Sequence, residues 1–149
     1  MNSPSFDDYR AICETKAQYC RAVDGKDWQA WGDLFTDDIV LDMIGCGSEV
    51  YEGRDTVVAR ISAGIATGTT AHQVHAPEIT MIDQNTAEVI WAMQDRVIWS
   101  PERAVQVGTT GLVGYGHYFE QYRRGEDGKW RIAHCKITRL HVDYGPAPA

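Results

Sequence analysis

The chain lacks the features that define several large functional classes. No run of about 18 apolar residues occurs, so no segment reads as a membrane span. Basic residues are in short supply: 14 Lys and Arg stand against 21 Asp and Glu, a net charge of −7 with histidine neutral. A surface of that sign repels a phosphate backbone, which argues against a nucleic-acid partner. The four cysteines are Cys13, Cys20, Cys46 and Cys135. They form no Cys-x-x-Cys pair and no zinc-ligand spacing, and they read as reduced thiols without a metal or a disulfide. The opening segment MNSPSFDDYR is polar and acidic, unlike a secretory leader, so a cytoplasmic location is expected. No serine elbow, phosphate-binding loop or dinucleotide fingerprint is present. Any chemistry is therefore expected to use proton transfer and electrostatics, with no cofactor.

What is there suits one globular domain over residues 1–149. A chain of this length buries roughly 68–70% of its unfolded surface, enough for a real core. Five tryptophans and seven tyrosines are many for so short a sequence. They are either core or the lining of a cavity for a ring-shaped ligand, since aromatics supply flat, rigid apolar area.

The order of elements is helices first, strands after. Ser5 with the following acids signals the start of a first helix. In that helix Cys13, Ala17, Cys20 and Val23 keep a buried-stripe spacing, with Ile12 and Tyr19 at its edge, and Gly25 is the expected terminator. Asp27 caps a short second helix that buries Trp28, Trp31, Leu34 and Phe35. A first strand is expected over Ile39–Ile44, followed by a hairpin-like stretch through Gly45-Cys46-Gly47 into Glu49-Val50-Tyr51. A third helix begins near Asp55, buries Val57, Val58, Ile61 and Ile65, and stops at Gly68-Thr69-Thr70. Four long strands follow over 71–82, 86–99, 104–123 and 129–142. Their expected connections are Asp83-Gln84-Asn85, Ser100-Pro101-Glu102-Arg103 and Glu126-Asp127-Gly128. This is an α+β layout in which a strongly bent, mostly antiparallel sheet wraps three amino-terminal helices as a cone. The glycines at 108, 111, 114 and 116 suit a sharply bending strand. The tail Gly145-Pro146-Ala147-Pro148-Ala149 reads as loose.

Several polar residues stand where the pattern expects apolar ones. On strand 86–99 the inward positions are Ala87, Val89, Trp91, Met93, Asp95, Val97 and Trp99. A buried, unpartnered carboxylate costs several kcal/mol, so Asp95 needs an ion pair, a proton or a pocket that admits water. Asp24 falls in the last turn of the first helix, where the dipole opposes negative charge; it is either solvated or functional. His72 and His75 point to opposite faces of a straight strand, and a bulge at Pro77 decides which of them faces inward. Either would form an acid/base pair beside a buried acid, since imidazole trades protons near neutral pH. In the last strand Arg139 shares a face with Ala133, Cys135 and Ile137. It either neutralises an acid, grips an anionic ligand or reaches solvent. His117 and Tyr118 are further candidates for the cavity wall.

The stretches KAQYCRAVDGKDW (16–28), HQVHAPEIT (72–80), NTAEVIWAMQD (85–95) and DGKWRI (127–132) together resemble the SnoaL-like, nuclear-transport-factor-2-like superfamily. Within it they are most similar to the bacterial bile acid 7α-dehydratases, over nearly the whole chain. The longer carboxy-terminal extension of those enzymes has no counterpart in this sequence, which bears on pocket cover and substrate. Scytalone dehydratases and hexachlorocyclohexane dehydrochlorinases look like more distant relatives. The resemblance implies the cone fold and a catalytic set of Tyr19, Asp24, His72, Asp95 and Arg139, selecting His72 over His75. Substrate contacts are expected from Met43, Trp91, Met93 and Tyr118, with no metal and no cofactor. The implied substrate is a small hydrophobic ring compound, an acid or a CoA thioester among the options, in a homotrimer or dimer. The implied activity is a dehydratase of a hydroxylated steroid-like or alicyclic ketone. In it His72 moves the proton, Asp95 fixes the imidazole and Tyr19, assisted by Asp24, binds the carbonyl. The roles of the two acids are open to exchange. The alternatives are a ketosteroid-type isomerase and a non-catalytic binding or assembly module of the same fold.

Overall fold

A computed structural model describes residues 3–149; Met1 and Asn2, which begin the acidic leading segment, lie outside the described residues. Helix α1 runs Phe6–Asp24, its first turn capped by Ser5, whose Oγ accepts the Asp8 amide at 3.1 Å. Its buried stripe is Ile12, Thr15, Lys16, Tyr19, Ala22 and Val23. This is rotated from the expected one: Cys13 and Cys20 are only half-buried and Ala17 is exposed. The rotation follows from Lys16, which is fully buried because Glu120 meets it inside the molecule.

The end of α1 also differs from expectation. Gly25 has a right-handed φ of −78°, and the left-handed residue is Lys26, at φ 60°. The Lys26 amide donates to the Val23 carbonyl at 3.3 Å and the Asp27 amide to the Ala22 carbonyl at 2.9 Å, the bond pair of a Schellman terminus. A non-glycine residue in that conformation costs about 1–2 kcal/mol. Asp27 then caps α2 (Trp28–Gly32), accepting the Ala30 amide at 3.0 Å.

Strand β1 occupies Phe35–Asp42, starting before the expected Ile39. Its pairing with the last strand shifts register between Phe35 and Val40, so Thr36-Asp37-Asp38 interrupts the ladder without ending the strand. A 3₁₀ turn at Ile44–Cys46 leads to β2 (Val50–Glu52) and α3 (Arg54–Ile65). The segment expected as one strand over 71–82 is two, β3 (Thr69–Val74) and β4 (Glu78–Met81), separated around Pro77. Both lie on the same edge of β5 (Thr86–Ile98). That interruption settles the phase: the His72 side chain is 13% exposed and turned inward, while His75 is exposed.

Residues 101–107, expected as turn and strand, form helix α4 (Pro101–Val107). Ser100 caps it through the Arg103 amide, proline occupies its first turn, and Gly108 ends it at φ 77°. Gly108 is thus a helix terminator rather than a bend in a strand. Strands β6 (Gly111–Arg124) and β7 (Trp130–Tyr144) complete a seven-stranded open sheet, ordered β2-β1-β7-β6-β5-β3 with β4 also on β5. The β1–β7 pair is parallel and the others are antiparallel. Register shifts in the β6–β7 pair at Tyr115/Gly116 and Gln121/Tyr122 bend the sheet around α1, giving the α+β cone. The tail is tied down at its start, where the Gly145 amide donates to Gly111 and the Thr110 amide to Pro146.

The inner face of β5 is the alternation read from sequence, with Ala87, Val89, Trp91, Met93, Asp95 and Val97 all buried. It packs with Tyr118, Tyr122, Ile132, Cys135 and Ile137 from β6 and β7 and with Tyr19, Trp31 and Phe35 from the amino-terminal elements. Among the described residues no helix is long and apolar enough to cross a membrane.

Candidate active site

Asp24 from the end of α1, His72 from β3, Asp95 from β5 and Arg139 from β7 come together on the inner side of the sheet. Asp24 is the last residue of α1, and three groups of β3 turn toward it. Its Oδ2 accepts the His72 backbone amide at 2.8 Å, while Oδ1 meets the Thr70 hydroxyl at 2.8 Å and His72 Nδ1 at 2.7 Å. Burial alone would raise the pKa of this carboxyl. The bonds from the His72 ring and amide and from Thr70 outweigh it and hold the group below its ordinary range. An ionised Asp24 requires Nδ1 to carry the imidazole proton, which leaves the Nε2 lone pair as the base.

Asp95 and Arg139 form a second pair. Nη1 donates to Oδ1 at 2.5 Å and Nη2 to Oδ2 at 2.7 Å, a bidentate fork. Burial disfavours the guanidinium charge, but the bonds and charge of Asp95 overcome this and raise the Arg139 pKa. Nη1 also approaches Met93 Sδ at 3.8 Å. The Cys46 thiol lies near this guanidinium, and burial raises its pKa with Arg139 opposing. Gly114 makes room for the pair: a Cβ there would stand 2.6 Å from Arg139 Nη1 and 3.0 Å from Asp95 Oδ1.

Four of the five expected catalytic positions are therefore brought together, and the partner of the imidazole is Asp24 rather than Asp95. Asp95 is instead engaged through both oxygens by the Arg139 fork. Tyr19 lies deeper. Its ring packs on Trp31 at 5.5 Å and on Phe35 and Tyr118 at 6.0 Å, and the side chain is buried. Burial pushes its phenol well above the ordinary value, with the neighbouring Tyr118 hydroxyl opposing. Of the expected substrate contacts, Met93 is buried beside the Asp95–Arg139 pair and Met43 is half-buried where β1 ends. Trp91 and Tyr118 belong to the core beneath.

Sequence reading missed Thr70 and the Lys16–Glu120 pair. Thr70 shares the inner face with His72 by simple alternation, yet its place at the end of α3 read as a stop signal. Lys16 and Glu120 form a wholly buried ion pair at 2.5 Å, with the Tyr122 hydroxyl donating to Glu120 at 2.8 Å. The ammonium also sits 4.0 Å over the Tyr19 ring and 3.5 Å over that of Tyr118. A surface hollow of about 530 Å³ lies away from these groups, against Ser5, Asp8, Asn85 and Arg124. Its acids are already engaged, Asp8 with Arg124 and Asp83 with the Asn85 amide, and no histidine lines it.

The geometry is accompanied by clear likenesses. A SnoaL-like domain model matches residues 4–136. The chain is similar to a provisionally named aromatic ring hydroxylase from Novosphingobium aromaticivorans, at 23% identity and a TM-score of 0.83, covering 95% of this chain and 96% of that one. It is similar to a provisionally named scytalone dehydratase from the same organism, at 19% identity, a TM-score of 0.77 and coverage of 92% and 91%. It is also similar to a type 3 hexachlorocyclohexane dehydrochlorinase LinA from Novosphingobium barchaimii, at 12% identity, a TM-score of 0.74 and coverage of 91% and 88%. At these identities the structural likeness establishes the fold alone. With most of its length matched by the domain model, the chain belongs to the SnoaL-like domain family.

Proposed function

We propose that this chain is a cofactor-independent hydro-lyase that eliminates water from a hydroxylated, steroid-like or alicyclic ketone. The observation that carries this reading is the His72 imidazole, held by Asp24 through Nδ1 at 2.7 Å on the inner face of an apolar sheet. Similar structures bearing the names of a dehydratase and a dehydrochlorinase support elimination chemistry on this fold.

His72 Nε2 takes the proton made acidic by the carbonyl, and the bonding pair of that C–H moves into the enolate. Asp24 stabilises the imidazolium so formed. The same Nε2–H then gives its proton to the hydroxyl on the same face. The enolate pair re-forms the carbonyl and makes the new C=C as the C–O bond breaks, and water leaves. Positioned acid/base groups of this kind contribute roughly 10²–10⁴ in rate. Tyr19, at the deep end beside Tyr118, donates to the carbonyl oxygen as charge develops there, an interaction typically worth a few kcal/mol. The Asp95–Arg139 pair is neutral as a unit and keeps the second acid from competing for the imidazole.

The test is a panel of β- and δ-hydroxy ketones on alicyclic and steroid rings, followed by the absorbance of the conjugated product and by mass loss of water. Dehydration of at least one member is expected. Isomerisation of a 3-keto-Δ5 steroid without any dehydration would replace this reading with a ketosteroid-type isomerase. Binding without any reaction would make the chain a ligand-binding module.

A further inference from the structure

The polar chain around Asp24 continues beyond Thr70. Lys26 Nζ donates to Thr70 Oγ1 at 2.7 Å and reaches the Val23 carbonyl at 3.3 Å. An ammonium has no acceptor, so the direction of this bond is fixed. Thr70 therefore accepts from Lys26 and must spend its single hydroxyl proton on Asp24 Oδ1, at 2.8 Å. The order is Lys26 to Thr70 to Asp24, with His72 donating to the same carboxylate from the other side.

We infer that Thr70 and Lys26 are positioning residues that fix the Asp24 carboxylate for His72. The inference rests on the dehydratase reading for its catalytic consequence, but its structural half stands apart from it. With Oδ2 on the His72 amide and Oδ1 on the Thr70 hydroxyl, the carboxylate plane is set by two bonds besides that of the imidazole. The ring thus meets an acceptor already in place, as a preorganised site requires. Thr70 is buried, so water does not substitute readily for its hydroxyl.

A second observation concerns the backbone. The chain adopts its left-handed turn at Lys26 although Gly25, which would take that conformation freely, stands beside it. Helix termination alone favours glycine at that position. A lysine there places an ammonium over the last turn of α1 and against Thr70. The other charged groups of the site, Asp95 on β5 and Arg139 on β7, are bonded to each other and leave this chain intact.

The experiment compares Thr70→Val, Thr70→Ser and Lys26→Gly, the last keeping the backbone turn while removing the ammonium. Two readouts are used: turnover of a dehydrated ketone, and the low-field Nδ1–H proton resonance of His72, identified by its loss in His72→Gln. Thr70→Val is expected to broaden or lose that resonance and to lower kcat about tenfold with KM little changed, the equivalent of one charge-assisted hydrogen bond. Thr70→Ser is expected to restore both. Lys26→Gly is expected to broaden the resonance and lower kcat about threefold, consistent with a weaker, indirect bond, while the melting temperature is held or raised. A sharp His72 resonance and unchanged kcat in Thr70→Val would overturn the inference. Should Thr70→Val fail to fold, an unaltered resonance in Lys26→Gly would overturn it instead. If no ketone is turned over by the wild-type chain, the dehydratase reading falls and the resonance alone decides the positioning role.

Discussion

His72 and Asp95 are direct cross-strand partners of β3 and β5, yet each bonds a different residue. The imidazole bonds Asp24 and the carboxylate bonds Arg139. Side chains paired this way have Cβ atoms about 4.5–5.5 Å apart, so a bond between them was sterically available. The stronger fork of Arg139 wins the contest for Asp95, and Asp24 remains for the imidazole.

The division of labour between the two acids is testable. Asp24→Asn is expected to lower kcat by at least about 10²-fold, since an amide in place of the carboxylate permits the wrong imidazole tautomer. Asp95→Asn is expected to act mainly on stability, because it leaves a buried guanidinium underpaired. Steady-state kinetics beside thermal melts separate the two effects.

Gly114→Ala probes the room that the ion pair needs. The added Cβ would press on Arg139 Nη1 and Asp95 Oδ1, and forcing a methyl into packed space typically costs about 1–3 kcal/mol. A lowered urea midpoint with an unchanged m-value is the expected result.

The buried Lys16–Glu120 pair predicts non-additivity. Lys16→Met leaves Glu120 without its cation and is expected to destabilise by about 3–5 kcal/mol, while Lys16→Met with Glu120→Gln is expected to recover a large part of that loss. A double-mutant cycle in urea measures the coupling.

These residues also mark what the sequence made legible. The alternation along β5 exposed Asp95 as an acid on an apolar face, because a period of two needs no tertiary information. Pro77 correctly marked the break that turns His72 inward. The choice between Asp24 and Asp95 was not legible, since it depends on Arg139, which is distant in the chain and arrives through β7. Lys16 was hidden because a lysine in a helix is ordinarily solvated, and only Glu120 on β6 makes its burial tolerable. Helix α4 was read as turn and strand although Ser100, Pro101 and Gly108 are its cap, first turn and terminator. A helix of two turns is too short for periodicity to announce it.

The pH dependence of stability follows from two kinds of group. The Asp24 carboxyl is held below its unfolded value, so its contribution is present above the unfolded range near 3.9 and is lost as pH falls through the folded value. Burial holds the Tyr19, Tyr118 and Tyr122 phenols well above their ordinary value of 10.0, so that stability is complete below about pH 10 and is lost as pH rises further. Absorbance at alkaline pH is expected to show these three phenols ionising together with unfolding. Smooth titration of all tyrosines with the fold intact would contradict this.

The role of His72 is tested most directly by turnover of a hydroxy ketone in the wild-type chain and in His72→Ala, with circular dichroism and melting curves confirming the fold of both. Loss of dehydration to about the level of the uncatalysed reaction is predicted, because the two acids at the site, Asp24 and Asp95, are already held in hydrogen bonds. Retention of wild-type kcat in a folded His72→Ala protein would contradict the account.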